Sequence, residues 1–406
     1  MSRTIVRGGS VFDGTGTPVA DGDVVFEAGR IVDVGPGLDG DEEVDASGLT
    51  VLPGMFDCHV HVMASHVDLW KVLNAPFSYR FYEAAHNLRS TLEAGITTVR
   101  DAGGADLGVR RAVEDGLIFG PRMQISIRML SQTGGHGDCW MVSGDRIHLF
   151  PVHPGSPEAL VDGPDEMRKK VRELIRYGAD VIKVATSGGV LSPRDNPRHA
   201  HFRPAELDVL VEEATAAGLP AMAHAQSSDG IKAAVRAGIR SIEHGIYLDD
   251  EAIDLMLERG TYLVATLVAP AGVVRAAEAG AQIPEASLNK ALEVMEDHKA
   301  SFSSAVEAGV NIAMGTDSGI TPHGENLDEL ALMRDGGMKP EDVLVAATQS
   351  AARLMEVEHE LGTLEPGKRA DLVLVRGDCF EFENLRDNIV SVFKDGELVA
   401  GVGGES

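Results

Sequence analysis

Short apolar runs separated by turn dipeptides occupy both ends of the chain. Between residues 4 and 51 these runs alternate with Asp-Gly, Ala-Gly and Pro-Gly turns, and this pattern predicts a β meander. The stretch from residue 361 onwards has the same alternation of short apolar runs and turns. Because each end alone has few strands to bury, we expect both ends to form one discontinuous β-sandwich domain, residues 1–53 plus 360–406. Two unrelated sheet extensions are the alternative.

The middle of the chain, residues 54–359, has a different period. Short apolar strands alternate there with amphipathic helices, and many helical patterns end on a glycine just before the next strand. Eight strand–helix units over roughly 250 to 300 residues are the size and rhythm of a (β/α)8 barrel. We therefore predict an α/β fold, a distorted (β/α)8 TIM barrel flanked by the terminal sheet domain. The predicted strands are 54–62, 97–101, 123–127, 181–185, 221–225, 241–244, 262–266 and 311–315.

A doubly wound open sheet is the competing fold. That fold would need a glycine-rich phosphate loop directly after the first strand. Here Pro53-Gly54 lies at the beginning of that strand, and His59-Val60-His61 lies at its end, without a glycine-rich loop. The pattern therefore favours the barrel.

Composition and charge disfavour several classes of partner. The 36 basic and 63 acidic residues give a net charge of −27, which disfavours nucleic acids and anionic membranes. No stretch is apolar for long enough to span a bilayer, and the N-terminus lacks the apolar segment of a signal peptide, so we expect a cytoplasmic protein. The cysteines Cys58, Cys139 and Cys379 are odd in number and far apart, which argues against a disulfide framework or a Cys-rich zinc site.

Candidate chemistry lies at the ends of the predicted barrel strands. The C-terminal strand ends of such a barrel form one rim, where active sites are built. A single histidine there is more often an ordinary pocket residue, and a strand lysine usually extends its charge to solvent. Four histidines, a lysine and an aspartate on one rim are difficult to explain by structural needs alone, because an unpaired buried lysine is costly. These residues are His59, His61, Lys183, His224, His244 and Asp317.

In this order, these residues resemble the metal-ligand pattern of the amidohydrolase superfamily with a binuclear metal centre. The resemblance is to its prolidase-like (Xaa-Pro dipeptidase-like) and imidazolonepropionase-related members. In that family a His-x-His follows strand one, a carboxylated lysine follows strand four, histidines follow strands five and six, and an aspartate follows strand eight. The sequence Gly-Thr-Leu-Glu-Pro-Gly-Lys-Arg-Ala-Asp-Leu-Val at 362–373 is also similar to a closing stretch of the family. The resemblance covers essentially the whole chain.

The resemblance implies two divalent metal ions, usually zinc, as cofactors. His59, His61 and Asp317 would hold one ion, and His224 and His244 the other. Lys183 would bridge both ions as a carbamate formed from CO₂ and its neutral amine, because a lysine ammonium cannot bind a metal. A metal-bridging hydroxide would attack the scissile carbonyl, and the aspartate would carry the proton to the leaving nitrogen. Nitrogen and oxygen ligands alone do not choose among zinc, manganese, cobalt and iron.

The predicted substrate contacts lie on the loops that follow the strands. Thr-Gly-Gly-His-Gly-Asp at 133–138 resembles a motif of the branch that cleaves dipeptides and N-acyl amino acids, so His136 is expected in the pocket as a catalytic and substrate-binding residue. A histidine that only caps a glycine-rich loop is the alternative. Dipeptide-cleaving members commonly carry a tyrosine where this chain has Gln226, and an amide suits a less charged substrate end. Arg194 and Tyr247 are further candidate contacts.

The predicted function is hydrolysis of an amide bond in a dipeptide or an N-acyl amino acid. The alternative is an aryl-amide, carbamate or urea hydrolase, including one for ochratoxin-type N-acyl aromatic amino acids; a catalytically inactive scaffold is a third reading. We expect a small-molecule substrate and a homo-oligomer. A second His-x-His at 199–201 lies in a Pro- and Asn-rich loop and is not expected to bind metal. The remaining histidines are assigned to the surface or to structural roles.

Overall fold

A computed structural model describes residues 2–192 and 194–401 of the chain. Its strands are β1 (Thr4–Val11), β2 (Ala20–Glu27), β3 (Arg30–Gly35), β4 (Glu42–Asp45), β5 (Leu49–Pro53), β6 (Met55–Val60), β7 (Ile96–Asp101), β8 (Arg122–Ile125), β9 (Met129–Leu130), β10 (Ile182–Ala185), β11 (Ala221–Ala225), β12 (Ser241–His244), β13 (Tyr262–Val264), β14 (Asn311–Ile312), β15 (Leu372–Arg376), β16 (Ile389–Lys394) and β17 (Glu397–Gly401).

The α-helices are α1 (Leu69–Asn74), α2 (Tyr79–Glu93), α3 (Leu107–Glu114), α4 (Pro164–Tyr177), α5 (Pro204–Ala216), α6 (Ser228–Ala237), α7 (Asp250–Arg259), α8 (Val268–Glu278), α9 (Glu285–Ala308), α10 (Asp328–Asp335), α11 (Pro340–Ala346) and α12 (Gln349–Leu354). Two short 3-10 helices, Phe382–Asn384 and Arg386–Asn388, precede β16.

Strands from both ends of the chain lie in one sheet. Its order is β17-β16-β15-β5-β1-β2-β3, with β4 paired to β1, and β15 runs antiparallel to β5. In a flat sheet β2 and β16, four strands apart, would be separated by about 19 Å. The rings of Phe26 on β2 and Phe393 on β16 are 5.9 Å apart, so the sheet bends over a core of its own. The domain boundaries at residues 53 and 359 stay a prediction.

The barrel strands are parallel and form two ladders, β6-β7-β8 and β9-β10-β11-β12-β13-β14. The ladders are joined where the first strand meets the chain after β14: the Cys58 amide donates to the Met314 carbonyl (2.9 Å), and the Asp317 amide to the His59 carbonyl (2.7 Å). The predicted TIM-barrel class is confirmed, although within the described residues the ladders do not run as one uninterrupted ring.

The two ladders meet a second time at the third predicted strand, which is interrupted. Residues 123–127 were expected to be one strand, but β8 ends at Ile125 and β9 begins at Met129. Ile127 between them has a φ of +65°, a left-handed conformation that interrupts a regular ladder. The Asp180 amide, just before β10, still donates to the Ile125 carbonyl (2.8 Å), so hydrogen bonding continues across the break.

The helices between the strands begin and end where their sequences dictate. In α4, Pro164 is the first residue, and Asp165 and Glu166 in the first turn complement the helix dipole. Met167, Val171 and Leu174 form its buried face. The predicted terminal glycines are confirmed as left-handed helix ends at Gly178, Gly238, Gly260 and Gly309. No helix in the described part of the chain has both the length and the apolar character needed to cross a membrane.

The barrel strands are buried almost completely, yet several of their side chains are charged or titratable. Every residue of β6, β7, β10, β11 and β12 is buried. Parallel barrel strands are otherwise near-continuous apolar runs, and a buried polar group costs free energy unless it has a partner. The buried charged or titratable side chains of these strands include Asp57, His59, Arg100, Asp101, Lys183, His224, Glu243 and His244.

Candidate metal centre

The predicted metal ligands meet at one point of the barrel rim. His59 in β6, His244 at the end of β12 and Asp317 after β14 each place a ligand atom within 4.8 Å of the other two. Oδ1 of the aspartate lies 3.4 Å from Nε2 of His59 and 3.2 Å from Nε2 of His61. Three separate strand ends therefore present imidazole and carboxylate donors to a common space, as the sequence predicts.

The remaining two predicted ligands, Lys183 and His224, lie beside the other four. Neighbouring strands β10, β11 and β12 carry Lys183, His224 and His244, and the rings of the two histidines are 4.6 Å apart. All six predicted ligands line one cavity of about 490 Å³. The structure thus brings the whole predicted ligand set together.

Each of the four histidines has one ring nitrogen occupied by a hydrogen-bond partner. Such a partner fixes the ring orientation and leaves the second nitrogen free for a metal. Nδ1 is the occupied atom in three rings and Nε2 in the fourth. The pairs are His59 with Glu243 Oε2 (2.7 Å), His61 with the Gly103 carbonyl (2.7 Å), His244 with Thr266 Oγ1 (2.7 Å) and His224 with the Gly188 carbonyl (3.2 Å).

Sequence reasoning missed the buried ion pair that supports His59. The carboxylate of Glu243 is fully buried and accepts hydrogen bonds from Arg100 Nη2 (2.9 Å) and Ser241 Oγ (2.6 Å). Burial alone would raise the pKa of Glu243, but the Arg100 guanidinium holds it well below its usual range. Arg100 also donates through Nε to the Cys58 carbonyl, directly before the first ligand (2.8 Å). The pair therefore holds both the backbone and the ring of the ligand.

The surroundings of Lys183 decide whether these residues fit a pair of metal ions. Its side chain is buried, and its Nζ has no hydrogen-bond partner among the described residues. An ammonium group left in such a place would be strongly destabilising. Burial lowers the pKa of Lys183 to about 8, although Glu243 and Asp317 oppose this shift. A nitrogen without a partner, in a cavity that histidines and a carboxylate also line, fits a lysine that would help these residues to hold divalent ions once it is converted to a carbamate.

Asp317 is held by the backbone of its own loop. Its φ is +61°, a left-handed conformation that is strained for a residue with a side chain. Asp57, which sequence reasoning missed, accepts hydrogen bonds from the His59 amide (3.1 Å) and from Thr316 Oγ1 (2.6 Å). Burial would raise the pKa of Asp317, but the nearby His59 and His61 lower it well below its usual range. The loop therefore presents an ionised carboxylate to the ligand histidines.

The two pocket residues expected nearest the ligands line the cavity. The His136 ring stacks on the His224 ring, with centroids 4.1 Å apart and an angle of 17° between planes. Gln226 is buried at the same wall, and its Oε1 finds no hydrogen-bond partner in the described part of the chain. Either amide atom can face a ligand, since the two ends of the group differ little in shape. His298, assigned from sequence to the surface or a structural role, is buried and also lines the cavity.

The two outer candidates differ in position. Arg194 is exposed at the cavity wall, with its guanidinium 5.2 Å from the centre of the Trp140 ring. Tyr247 is not among the described residues that line the cavity; Arg198 stacks on its ring at 3.9 Å. Ile246, one residue before it, lines the cavity. Tyr247 as a substrate contact stays a prediction.

The cavity walls beyond the ligands are largely apolar. The segment between β9 and α4 contributes aromatic and aliphatic side chains, and α8 and the segment just before α9 contribute others. The His61 ring stacks on Phe150 of that segment at 5.5 Å, so the metal site and the apolar wall are in contact. A substrate with a bulky apolar part would fit such a cavity, because its burial there is favourable. These wall residues are Val67, Leu69, Trp140, Met141, Ile147, Leu149, Phe150, Val273, Ile283 and Ile320.

The chain is similar to known proteins over most of its length. Residues 50–399 match the family model described as "Amidohydrolase family". The ochratoxinase of Aspergillus niger is 33% identical, covering 98% of this chain and 87% of that protein. The imidazolonepropionase of Rhizorhabdus wittichii is 28% identical over 88% of each chain. A solved structure of a Xaa-Pro dipeptidase with bound methionine has a TM-score of 0.89 at 33% identity, covering 98% of this chain and 99% of that one.

The family match extends over most of the chain, and the similar proteins align with it almost from end to end. The resemblance inferred from the strand-end residues is therefore confirmed, and so is the class of enzyme. The chain belongs to the amidohydrolase family and is an amide-cleaving hydrolase.

Proposed function

We propose that the protein hydrolyses the amide bond of a dipeptide or an N-acyl amino acid with the help of two divalent metal ions, for which zinc is the expected element. One observation carries this proposal. Four histidines with one ring nitrogen turned to a hydrogen-bond partner, the Asp317 carboxylate and a Lys183 Nζ that has no hydrogen-bond partner among the described residues line a single cavity. When bound there, the ions would supply a water of lowered pKa and polarise the scissile carbonyl.

The roles of the ligands follow from their chemistry. His59, His61 and Asp317 would hold one ion, and His224 and His244 the other. Lys183 would lie between them as a carbamate made with CO₂, since its lowered pKa favours the neutral amine that reacts. The Asp317 carboxylate would take a proton from the attacking water and deliver it to the leaving nitrogen.

The pocket residues would bind the rest of the substrate. His136 would contact a polar group beside the scissile bond, and Gln226 would hydrogen-bond a neutral part of the substrate. The apolar walls favour a large side chain or an aromatic acyl group. Arg194 at the cavity wall would contact a terminal carboxylate. The ochratoxinase name of a relative that is 33% identical supports N-acyl aromatic amino acids as the first substrates to test.

A second candidate function rests on Gln226. A neutral amide at this position and apolar walls around it also suit aryl amides, carbamates and ureas, which lack a free carboxylate. We further propose a cytoplasmic homo-oligomer that acts on a small molecule. The net charge of −27 supports the view that nucleic acids and anionic membranes are not partners. The exposed aromatic residues Trp70, Phe77 and Tyr82 support self-association.

A substrate panel tests the proposed function. Protein supplied with Zn²⁺ is assayed against N-acyl aromatic amino acids, Xaa-Pro and other dipeptides, aryl carbamates and aryl ureas, with chelator-treated protein as the control. The proposal predicts cleavage of at least one amino-acid amide, lost with the chelator and restored by added metal. Activity confined to carbamates and ureas would contradict it and favour the second candidate.

A further inference from the structure

The loop after β10, here the β10 loop (residues 187–192 and 194–196), contacts two histidines of the site at once. The Gly188 carbonyl lies 3.2 Å from Nε2 of His224, which leaves Nδ1 of that ring for a metal. Gly189 packs against His136 so closely that an added Cβ would lie 2.2 Å from Cε1 of the ring. The His136 ring is therefore confined between His224 on one face and this loop.

Asp195 of the β10 loop faces Nδ1 of His136. Its side chain is only 2% exposed, and its Oδ2 lies 3.5 Å from that nitrogen. Ser192 donates its hydroxyl hydrogen to Oδ1 of this aspartate, and its oxygen lies 2.7 Å from His136 Nδ1. The Gly189 amide donates to Oδ2 (3.0 Å). A buried carboxylate and a hydroxyl oxygen thus both stand as acceptors at one ring nitrogen.

This arrangement assigns the proton of the imidazole. With two acceptors at Nδ1, the hydrogen lies on Nδ1, and Nε2 is the ring nitrogen left for the cavity. Burial alone would raise the pKa of Asp195, but hydrogen bonding by His136 and Ser192 and the charge of Lys290 lower it to about 2. The carboxylate is therefore ionised throughout the neutral range and can hold the ring in one orientation.

Lys290 from α9 anchors the β10 loop. Its Nζ donates to the Gly189 carbonyl (2.6 Å), to the Ser192 carbonyl and to the Asp195 carbonyl (3.2 Å), and it lies 3.2 Å from Oδ1 of that aspartate. Three carbonyls and a carboxylate around one ammonium fix the shape of the loop from outside the cavity. Hydrogen bonds to a charged group in a partly buried place are among the stronger ones, so we expect Lys290 to stabilise the conformation of the β10 loop.

We propose that Asp195 is a positioning residue that holds His136 with its proton on Nδ1 and its Nε2 toward the substrate, with Ser192 as the second acceptor and Lys290 as the anchor of the loop. The inference rests on the proposed function in one respect: the orientation of His136 affects catalysis only if the substrate occupies the cavity. The orientation itself is a property of the resting protein and is measured without substrate.

The first test measures which ring nitrogen of His136 carries the proton. The full-length protein is labelled with ¹⁵N-histidine and supplied with Zn²⁺, and long-range ¹H–¹⁵N spectra report which nitrogen of each ring carries the proton. The signals of His136 are identified by their loss in His136→Gln. We expect a proton on Nδ1 in the wild-type protein and a different or mixed pattern in Asp195→Leu. A wild-type proton on Nε2, or an unchanged pattern in Asp195→Leu, would overturn the inference.

The second test separates positioning from folding. In Asp195→Leu we expect KM to rise about tenfold or more while kcat and bound metal change little, because orientation of a substrate contact is lost. Asp195→Asn keeps one acceptor oxygen and should recover part of this loss. A merely structural aspartate would lower the active fraction, and with it kcat, and leave KM unchanged; that result would contradict the inference.

The third test addresses the anchor on α9. Lys290→Met keeps the aliphatic stem but cannot donate, and we expect it to raise KM in the same direction as Asp195→Leu. Lys299→Met, an exposed lysine of the same helix, is the matched control and should behave as wild type. If the wild-type enzyme cleaves none of the amides tested, the proposed function fails, whereas the NMR experiment still decides the orientation of His136.

Discussion

Two sides of the candidate site hold a histidine in place by different means. On the strand side, defined as His59, Glu243 and Arg100, the support is a fully buried ion pair between β7 and β12, two strands of different ladders. On the loop side, defined as His136, Ser192, Asp195 and Lys290, a loop carries the carboxylate and a helix anchors that loop. Side-chain exposure is 2% for His59 and 15% for His136.

The difference indicates that the two sides have separate roles, with the strand side holding a metal ligand and the loop side holding a substrate contact. A ligand that must keep one geometry is held by strands that cannot move without disrupting the core. A substrate contact is held by a loop, whose replacement costs the core less and whose conformation can differ between related enzymes. Substitutions on the strand side should therefore reduce metal content and stability, and substitutions on the loop side should change KM.

The largest effect on turnover is expected at Asp317, whose carboxylate would both bind a metal ion and transfer the proton. Asp317→Asn keeps the size of the side chain but removes the base, so we expect kcat to fall about 10²- to 10⁴-fold. Steady-state kinetics with the best substrate of the panel measures this loss. Asp328→Asn, an exposed residue of α10, is the control and should retain wild-type kcat. Near-normal kcat in Asp317→Asn would exclude the proposed proton transfer.

The largest effect on stability is expected on the strand side. Arg100→Met leaves the Glu243 carboxylate buried without its cation, which should lower the free energy of unfolding by about 3 to 5 kcal/mol. Chemical denaturation measures this change. Arg111→Met, on the exposed face of α3, should alter stability by no more than about 0.5 kcal/mol. A loss in Arg100→Met as small as that of the control would remove the distinction between the two sides.

On the loop side we expect a smaller and different change. Gly189→Ala introduces a methyl group 2.2 Å from Cε1 of His136, so the ring must move. KM should rise about tenfold, and metal content should stay near that of the wild type. Gly22→Ala is the control, because a Cβ there makes only ordinary contacts. Loss of metal in Gly189→Ala, with KM unchanged, would reverse the assignment of roles.

The smallest effect is expected at the exposed cavity wall. Arg194→Met should raise KM for an N-acyl amino acid by at most about fivefold, since exposed charge pairs contribute only about 0.2 to 1 kcal/mol. The methyl ester of the same substrate is the control, and its KM should not change. Equal effects on the acid and the ester would show that Arg194 does not contact the carboxylate.

The six candidate ligands could be selected from the sequence because each of them is a chemically distinctive residue at a predicted strand end. The supporting residues could not be predicted in the same way. Arg100 and Glu243 are 143 residues apart in sequence, and Asp195 and Lys290 are 95 apart, so only the fold brings each pair together. Strand alternation places Glu243 on the barrel wall, but alternation does not name its partner.

One local prediction was wrong for a reason of backbone geometry. The left-handed Ile127 breaks the third strand, although its apolar pattern favours continuous β structure. A single unusual φ angle reverses which face a side chain occupies, and side-chain patterning does not predict it.

Metal content tests the central claim most directly. The account predicts about two tightly held divalent ions per chain in protein produced with zinc, measured by elemental analysis after dialysis against metal-free buffer, and clearly fewer in Lys183→Met, which cannot form the carbamate. Fewer than one ion per wild-type chain, or an unchanged content in Lys183→Met, would contradict it.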